Sequence, residues 1–556
     1  MSASNKKKLR KELVAAELTK KQQQERKEAQ KLKNVSLIFT AVMLAIVLIA
    51  GGILVYRAID NSGVMQKKNI AATVGDHELN VVQVNYYFND YVKSNYQQWY
   101  SSYGDYVSMY MLLMGLDLSA PLDDQIYDEE TKETWADYFL YSALNKAQSD
   151  YILYEKAMAT EGFALTEEQQ NSLDSTIAQQ ELYALYYGYE STDDYLRAMY
   201  GNGSDLESYK EYSKIVATAS AYYTMYKDSL SYDEVAIREY EKDKYNNYLS
   251  FNYSFYYVNY TDYLTGGTKD ENGNTTYTEA EKDAARQKVK EIAEKLFENK
   301  DEVALNKAIA NLEINKGNES AGVQRYDRVS YDGILKAAES WLLEEGRKTG
   351  DVGMVPNEVT TKDAEGNETK VINGYYLVVF HSIDKNDDLM VNVRHLLVKC
   401  TGGSTDVDGS TVYSEAEKAV ARTEAERLLK VWQEGAATEE TFINLVKEYS
   451  DDNAEAGGLY EDIHADYGFV EEFQNWCLDE DRKVGDVEIV DTQFGSHIMY
   501  FVGHSDMTYR DYLISEDLRS EDVAKWYEEI MKDSSIVVGK TRLVNTSLII
   551  SNMAIY

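Results

Sequence analysis

Two histidines in apolar, β-branched segments are the side chains best placed to do chemistry in this chain. His395 lies in VNVRHLLV and His497 in FGSHIMYF, and Asp452 lies between them in YSDD. Imidazole changes its charge near neutral pH, and the hydrogen bond at one ring nitrogen decides which tautomer is present. Two histidines on facing strands can also simply hydrogen-bond within a core. Their chemistry therefore depends on the residues around them.

The motifs of other common enzyme classes are absent from the sequence. It contains no H-E-x-x-H zinc motif, no G-x-S-x-G nucleophile, no Walker loop and no dinucleotide fingerprint in a strand-turn-helix context. Acidic pairs are frequent, but they fall on helix faces and turns, where solvated charge is expected. The sequence therefore signals no metal and no cofactor.

The segments between the two histidines follow a recognisable order. A helix capped by Ser414 precedes FINLVKEYSDD, the turn Gly457-Gly458 and the aromatic segment GFVEEFQNW. This order resembles the parvulin (PpiC) family of peptidyl-prolyl cis/trans isomerases, although GGLYED replaces the family's usual GGDLG turn. The resemblance implies two sets of site residues: catalytic His395, Asp452 and His497, and substrate-binding Phe469, Phe473, Thr492, Gln493 and Phe494.

The activity that this resemblance implies needs neither a nucleophile nor a metal. Rotation about an X-Pro bond is opposed by amide resonance, with a barrier of about 18–20 kcal/mol. We expect Phe469 and Phe473 to hold the pyrrolidine ring in an apolar pocket. The polar cluster would keep ring tautomers fixed and favour the twisted amide electrostatically.

An internal repeat precedes this region. The segment WLLEEGRKTGDVGMV (341–355) recurs as WCLDEDRKVGDVEIV (476–490), and YTEAEK (277–282) recurs as YSEAEK (413–418). Two homologous modules in tandem explain this best. When the repeats are aligned, His395 corresponds to Phe255, His497 to Tyr376, Phe469 to Ile334 and Phe473 to Ala338. We therefore expect the first module to be a degenerate parvulin that acts as a spacer or a peptide-binding surface.

The N-terminal segment predicts a membrane anchor. Residues 35–56 contain no charged side chain over a length that matches the hydrocarbon core of a bilayer. Residues 1–34 hold eleven Lys and Arg against four Glu. Positive charge favours the cytoplasmic side, so the acidic bulk should lie outside the cell membrane. The apolar run is longer than that of a cleaved signal peptide.

The region after the anchor predicts mainly helices. Capping patterns at Thr166 and Ser231 mark two helix starts, and the order of signals is similar to the helical module of the SurA and PrsA secretion foldases. Tyrosine is unusually frequent, at 48 residues in the chain. These rings fit helix packing best, but they could also line a cradle for unfolded segments.

Composition limits the remaining possibilities. A net charge of −38 makes nucleic acid an unsuitable partner. The only cysteines, Cys400 and Cys477, show no zinc-ligand spacing, and the sequence leaves a bridge between them open. The 556 residues are enough for several domains.

The predicted fold class is α+β: one transmembrane helix, a helical chaperone module and two tandem parvulin-like modules, each a small antiparallel sheet surrounded by helices. The predicted segments are a basic cytoplasmic tail (1–34), the transmembrane helix (35–56), a linker and first strand (57–75), the helical module (76–248), the degenerate module (249–388), the isomerase domain (389–506) and a C-terminal helix and tail (507–556). The expected function is extracytoplasmic isomerisation of newly exported, proline-containing polypeptides. The alternative is a non-catalytic holdase that binds unfolded exported chains.

Overall fold

The structure is a computed structural model that describes residues 3–269, 273–318, 320–362, 368–406, 409–532 and 534–552. The chain divides into two compact units. The first comprises residues 1–230 together with 522–556, and the second comprises residues 231–521. Helices and strands are mixed in both units, so the predicted α+β class is confirmed.

The first unit is mainly helical. Its helices are α1 (Ala3–Asn61), α2 (Val64–Lys68), α3 (Val81–Tyr103), α4 (Val107–Leu113), α5 (Trp135–Ala159), α6 (Glu167–Tyr186), α7 (Thr192–Tyr200) and α8 (Leu206–Ser229). Strands β1 (Ile70–Val74) and β2 (His77–Asn80) form a tight antiparallel pair. Thr166 caps α6 with a reciprocal capping box to Gln169, as the sequence predicts.

Helix α1 contains one segment, Lys31–Ile53, that is long and apolar enough to cross a membrane. Its mean hydropathy is 2.5, and the segment is not buried by other parts of the protein. The segment is identified as a candidate membrane span by its length and composition.

The C-terminal tail completes the first unit. Strand β15 (Ile536–Val538) pairs with β1 in the sheet order β15-β1-β2. Val544 and Ile550 are buried in the main hydrophobic core beside α3 and α5. The two ends of this unit are therefore held together by strand pairing and by apolar burial.

The second unit begins with α9 (Glu234–Glu241) and contains two modules. Asp233 caps α9 by accepting from the backbone N–H of Ala236, so the prediction of Ser231 as the cap is wrong. Asp and Ser are comparable as N-caps, so residue type alone does not choose between the two positions.

The first module contains β3 (Ser250–Asn259), the hairpin β4 (Thr268–Lys269) and β5 (Thr275–Thr276), α10 (Glu279–Phe297), α11 (Glu302–Ala310), β6 (Gln324–Ser330), α12 (Glu339–Leu342), β7 (Val352–Lys362) and β8 (Glu368–Asp384). The second module contains β9 (Leu389–Lys399), the hairpin β10 (Ser404–Thr405) and β11 (Thr411–Val412), α13 (Glu415–Glu434), α14 (Glu439–Tyr449), β12 (Leu459–Ile463), α15 (Glu471–Cys477), β13 (Val487–Asp491) and β14 (Gly495–Thr508). Helix α16 (Tyr509–Met531) follows.

The two modules have the same sheet topology. Their antiparallel sheets have the strand orders β6-β3-β8-β7 and β12-β9-β14-β13. The register also agrees with the repeat in the sequence: His395 pairs with Met499 where Phe255 pairs with Val378. A shift in register follows at the corresponding place on both central strand pairs.

The edge strands repeat an irregular feature as well. Arg328 on β6 and Asp462 on β12 both have positive φ, at 51° and 53°. The backbone N–H of each donates to an asparagine on the neighbouring strand, Asn252 or Asn392, at 2.8 Å. A strained conformation stabilised in the same way in both modules is a specific sign of common architecture.

A buried ion pair lies where the second unit's helices meet the linker between its modules. Arg510, at the start of α16, is only 2% exposed and donates through Nε to Glu241 of α9 at 2.5 Å. Its guanidinium also donates to the backbone carbonyls of Lys385 and Tyr245. Removing one partner of such a pair leaves a buried charge, so this contact fixes the linker against both helices.

Candidate functional site

The two predicted histidines meet across the central strand pair of the second module. His395 lies on β9 and His497 on β14, and both side chains are buried. Their Nδ1 atoms are 3.1 Å apart, and their rings are nearly parallel with centroids 5.3 Å apart. One Nδ1 must therefore donate to the other, because two unprotonated nitrogens at this distance cannot bond.

The contacts of Thr492 fit an arrangement in which His497 is the donor. Its Oγ1 accepts from the backbone N–H of Phe494 at 3.1 Å and lies 2.9 Å from Nε2 of His497. The threonine hydroxyl can then donate to that Nε2, which leaves the proton of His497 on Nδ1. His497 donates to His395, whose own proton is consequently on Nε2.

Asp452 lies at the end of this chain of contacts. Its Oδ2 is 3.3 Å from Nε2 of His395, although the alignment is too poor for a full hydrogen bond. The contact with His395 holds the pKa of the Asp452 carboxyl below its usual value, against the opposing effect of burial. Since the carboxylate is 47% exposed, it links a buried imidazole pair to solvent.

The YSDD segment reaches His395 because it is hydrogen-bonded along β9. The backbone N–H of Leu397 donates to Ser450 Oγ, and that of Lys399 donates to Asp451 Oδ2. The N–H of Asp451 in turn donates to the carbonyl of Leu397. These bonds place Asp452 beside the strand that carries His395.

The predicted glycine turn approaches the backbone of His395 closely. The carbonyl of Gly458 accepts from the N–H of His395 at 3.0 Å. Gly458 has a φ of +69°, and a Cβ at this position would lie 2.1 Å from the His395 carbonyl oxygen. Only glycine satisfies both the conformation and the contact.

An aromatic pocket lies against the histidines. Phe473 is buried and makes edge-to-face contacts with the rings of His395 and His497, at centroid distances of 5.2 and 5.3 Å. Phe469 is half-buried and lies 4.5 Å from Phe473. The structure therefore brings Phe469 and Phe473 together with the predicted catalytic residues in one site.

Tyr460 also belongs to this site, although sequence reasoning did not assign it. Its ring contacts Phe469 at 5.2 Å and His395 at 5.3 Å, and its hydroxyl lies 3.4 Å from Asp452 Oδ2. The signal was its position in GGLYED, directly after the glycine turn. Tyr460 corresponds in register to Tyr326 of the first module. Because both modules carry a tyrosine at this position, comparing the repeats did not single out Tyr460 as a site residue.

Three predicted substrate-binding residues lie on the turn between β13 and β14. The Thr492 side chain is buried against His497, as described above. Gln493 is exposed, and Phe494 is 48% exposed. Among the described side chains, no ring contact joins Phe494 to Phe469 or Phe473.

Burial keeps the site uncharged at its centre. Desolvation, with help from neighbouring His395, lowers the pKa of His497 to about 4. The imidazole is therefore neutral near pH 7, as the proton arrangement inferred from Thr492 requires. Cys400 and Cys477 are both buried free thiols, and burial raises the pKa of each.

Residues 375–503 match the family model of the PPIC-type PPIase domain. The chain contains a parvulin-type peptidyl-prolyl isomerase domain. The match covers the second module almost completely and begins within β8. No curated protein matches the chain significantly.

Three solved structures are similar to parts of the chain. The PPIase domain of TbPar42 is 22% identical, and the match covers 20% of this chain and 98% of that chain, with a TM-score of 0.16. PrsA from Bacillus anthracis is 20% identical over 26% of this chain and 60% of that chain, with a TM-score of 0.17. PrsA from Bacillus subtilis is 16% identical over 74% of this chain and 93% of that chain, with a TM-score of 0.24.

The parvulin-type domain combines an apolar surface with neutral, oriented dipoles. Amide rotation passes through a twisted state that has lost resonance and needs no proton or electron from the enzyme. Fixed hydrogen-bonding groups can favour that state without reorganising. The geometry thus fits an isomerase that works by positioning and electrostatics.

Proposed function

We propose that this protein isomerises X-Pro bonds in newly exported polypeptides while anchored to the cell membrane. The contact between the His395–His497 pair and Phe473 carries this proposal. It places an apolar ring surface directly beside a hydrogen-bonded imidazole pair, which is the combination that a proline ring and a twisting amide require.

Each site residue has a distinct role in this proposal. Phe469 and Phe473 hold the pyrrolidine ring, and Tyr460 closes the pocket beside Asp452. Gln493 and Phe494, which are exposed on the neighbouring turn, contact the peptide flanking proline. His395, His497 and Asp452 stabilise the twisted amide, and Thr492 is a positioning residue that fixes the tautomer of His497.

The first module is proposed to be a parvulin that has lost its catalytic site. At the position of the histidine pair it carries Phe255 and Tyr376, whose rings meet edge to face at 5.5 Å. Tyr326 stacks on Phe255 at 5.0 Å. Such a cluster offers aromatic area without a polar pair, which suits a spacer or a peptide-binding surface.

Membrane anchoring is proposed from the apolar segment within α1. The basic residues precede this segment, and the acidic bulk of the chain follows it. By the positive-inside rule, residues 1–34 lie in the cytoplasm, and the part of the first unit that follows the apolar segment lies outside together with the second unit. The large negative charge would also favour encounters with basic segments of exported chains.

The alternative is a holdase that binds unfolded chains without accelerating rotation. Exposed tyrosines in the first unit favour this alternative, since Tyr106, Tyr141 and Tyr186 are each more than half exposed. Aromatic side chains with a polar end are suited to reversible contact with polypeptides.

A paired assay on the full chain in detergent separates the two functions. Isomerisation of a proline tetrapeptide would be followed by NMR exchange, and suppression of aggregation by light scattering on an unfolded client. We expect Phe469→Ala with Phe473→Ala to reduce the isomerisation rate at least tenfold while aggregation is still suppressed. A large-to-small change at a buried Phe costs about 3–5 kcal/mol, so Phe473→Leu provides a milder variant for the same pocket.

The matched control changes Ile334 to Ala in the first module, at the position that corresponds to Phe469. This variant should leave the isomerisation rate unchanged. A folded pocket variant that isomerises at the original rate would show that the pocket is wrongly assigned. A wild-type chain that suppresses aggregation without accelerating rotation would establish the holdase instead.

A further inference from the structure

A second candidate binding site lies in the first unit, away from the histidines. A cavity of about 540 Å³ opens between α3, α6, α7 and the tail residues 547–549. A neighbouring cavity of about 370 Å³ between α3, α6 and α8 shares Asp90, Thr176 and Tyr209 with the first. Both volumes fall within the range of about 300–1,000 Å³ that is usual for ligand sites.

Among the described residues, Asp90 is the only carboxylate that lines both cavities, and it has an unusual set of partners. Oδ1 accepts from the hydroxyl of Tyr200 at 3.0 Å, and Oδ2 accepts from the hydroxyl of Tyr212 at 2.8 Å. Across the described part of the chain, no Lys, Arg or His forms an ion pair with Asp90. Two neutral donors compensate this partly buried charge incompletely, and desolvation raises the pKa of the carboxyl.

The walls of the larger cavity are aromatic. Tyr183 and Tyr195 from α6 and α7 face it, and Tyr200 and Tyr209 lie near Asp90. The rings of Tyr200 and Tyr209 are 5.7 Å apart, so they form a continuous surface. Aromatic faces attract cations by about 0.5–2 kcal/mol, with the larger values in desolvated sites.

We propose that this cavity binds the ammonium or guanidinium group of a lysine or arginine side chain in an extended polypeptide. The aliphatic stem would lie on the tyrosine rings, and the charged head would reach the remaining lone pairs of Asp90. A carboxylate offers about four acceptor positions, of which the two tyrosines occupy two. The site would thus recognise basic residues independently of proline.

Lys93 is the one lysine that lines the same cavity, one turn after Asp90 on α3. It repels a cationic ligand, and its charge also acts on Asp90, whose pKa it lowers against the larger effect of desolvation. Lys93 should therefore weaken the binding of a cationic ligand, whereas Asp90 should strengthen it. Substituting the two residues separately therefore reports the sign of the ligand's charge.

Calorimetry with three probe peptides tests this site on the full chain in detergent. The peptides are acetyl-Ala-Ala-X-Ala-Ala-amide, in which X is lysine, norleucine or glutamate. We expect the lysine peptide to bind at least tenfold more tightly than the norleucine peptide, and the glutamate peptide to bind most weakly. Since the peptides contain no proline, failure here would leave the isomerase proposal untouched.

Three variants complete the test. Asp90→Asn keeps an oxygen acceptor for the tyrosines and should weaken lysine-peptide binding about tenfold, whereas Asp174→Asn on the exposed face of α6 should not change it. Lys93→Gln should strengthen binding, and this sign decides the question even if Asp90→Asn fails to fold. Equal affinity for lysine and norleucine, unchanged affinity in folded Asp90→Asn, or weaker binding in Lys93→Gln would each overturn the proposal.

Discussion

At the scale of single residues, the polar part of the site is a chain of hydrogen-bonding side chains whose tautomers depend on one another. In the arrangement that fits these contacts, Thr492 donates to His497, His497 donates to His395, and His395 faces the Asp452 carboxylate. This arrangement requires the imidazole of His497 to be neutral, which its lowered pKa favours. A proton added to His497 would place a charge in a buried pair and reverse the hydrogen bond to Thr492.

The depressed pKa of His497 leads to a prediction about pH and stability. Its folded pKa is about 4, against an ordinary value of about 6.5, so the unfolded state takes up a proton first as pH falls. Stability conferred by the neutral form is complete above about pH 6.5 and is lost progressively as pH falls towards 4. The lowered pKa of Asp452 acts in the same direction at lower pH.

Urea unfolding at pH 7 and pH 4.5 measures this dependence. We expect the wild-type protein to lose up to about 3 kcal/mol more than His497→Asn over this interval, because the variant lacks the titrating group. His504→Asn, at an exposed histidine on the same strand, serves as the matched control and should behave like the wild type. Equal losses in wild type and His497→Asn would contradict a buried, neutral His497.

Some residues of the histidine site could be predicted from the sequence, and others could not. The resemblance to the parvulin family implied that His395, Asp452 and His497 would come together, and the strand patterns around the two histidines agreed with it. It did not predict that Thr492 faces His497 while Phe494 is half-exposed, since side-chain direction on a turn depends on backbone angles that residue types do not fix. The contact of Tyr460 with Asp452 was missed for the same reason.

At the scale of elements, the glycine turn and β9 are mutually dependent. We expect Gly458→Ala to destabilise the second module by about 2–3 kcal/mol and to lower isomerase activity, because its Cβ would displace the backbone of His395. Urea unfolding and peptide isomerisation would be measured on the same preparation.

Gly468→Ala provides the matched control for this substitution. Gly468 also has a positive φ, +92°, but a Cβ there meets nothing within 4 Å. It should show only the cost of backbone strain, about 1 kcal/mol. If the two variants were equally stable and equally active, the close approach to His395 would have no role in positioning the site.

The internal repeat allowed the strands of the two modules to be aligned from the sequence alone. Nine identities between residues 341–355 and 476–490 fixed the alignment, and the strand registers agree with it. Both segments also place an arginine over a tryptophan, Arg347 on Trp341 and Arg482 on Trp476. The start of α9 was mispredicted because Ser231 and Asp233 are both good caps and only packing chooses between them.

At the scale of the whole molecule, charge asymmetry predicts the orientation of the chain. Protease added to intact cells should remove nearly all of residues 70–556 and leave an anchored N-terminal fragment that an antibody to residues 1–34 detects only after lysis. Protection of the large fragment would reverse the orientation. A released mature protein would show that the apolar segment is a cleaved signal.

The helical composition of the first unit could be predicted from the sequence, but the strand with which the C-terminal tail pairs could not. Helical periodicity indicated most of its helices, whereas the pairing of β15 with β1 joins segments more than four hundred residues apart. No local pattern specifies such a partner, because a short apolar strand fits any exposed sheet edge. The same limit applies to Asp90 and its tyrosines, which come from three helices.

The central claim is that catalysis resides in the second module and depends on its histidine pair. The most direct measurement is the proline-peptide isomerisation rate of two full-chain double variants, His395→Ala with His497→Ala, and Phe255→Ala with Tyr376→Ala at the corresponding positions of the first module. We predict at least a tenfold loss in the histidine variant, about 1.4 kcal/mol of barrier, and an unchanged rate in the aromatic variant. A full rate without the histidines, or a loss of rate in the first-module variant, would contradict the account.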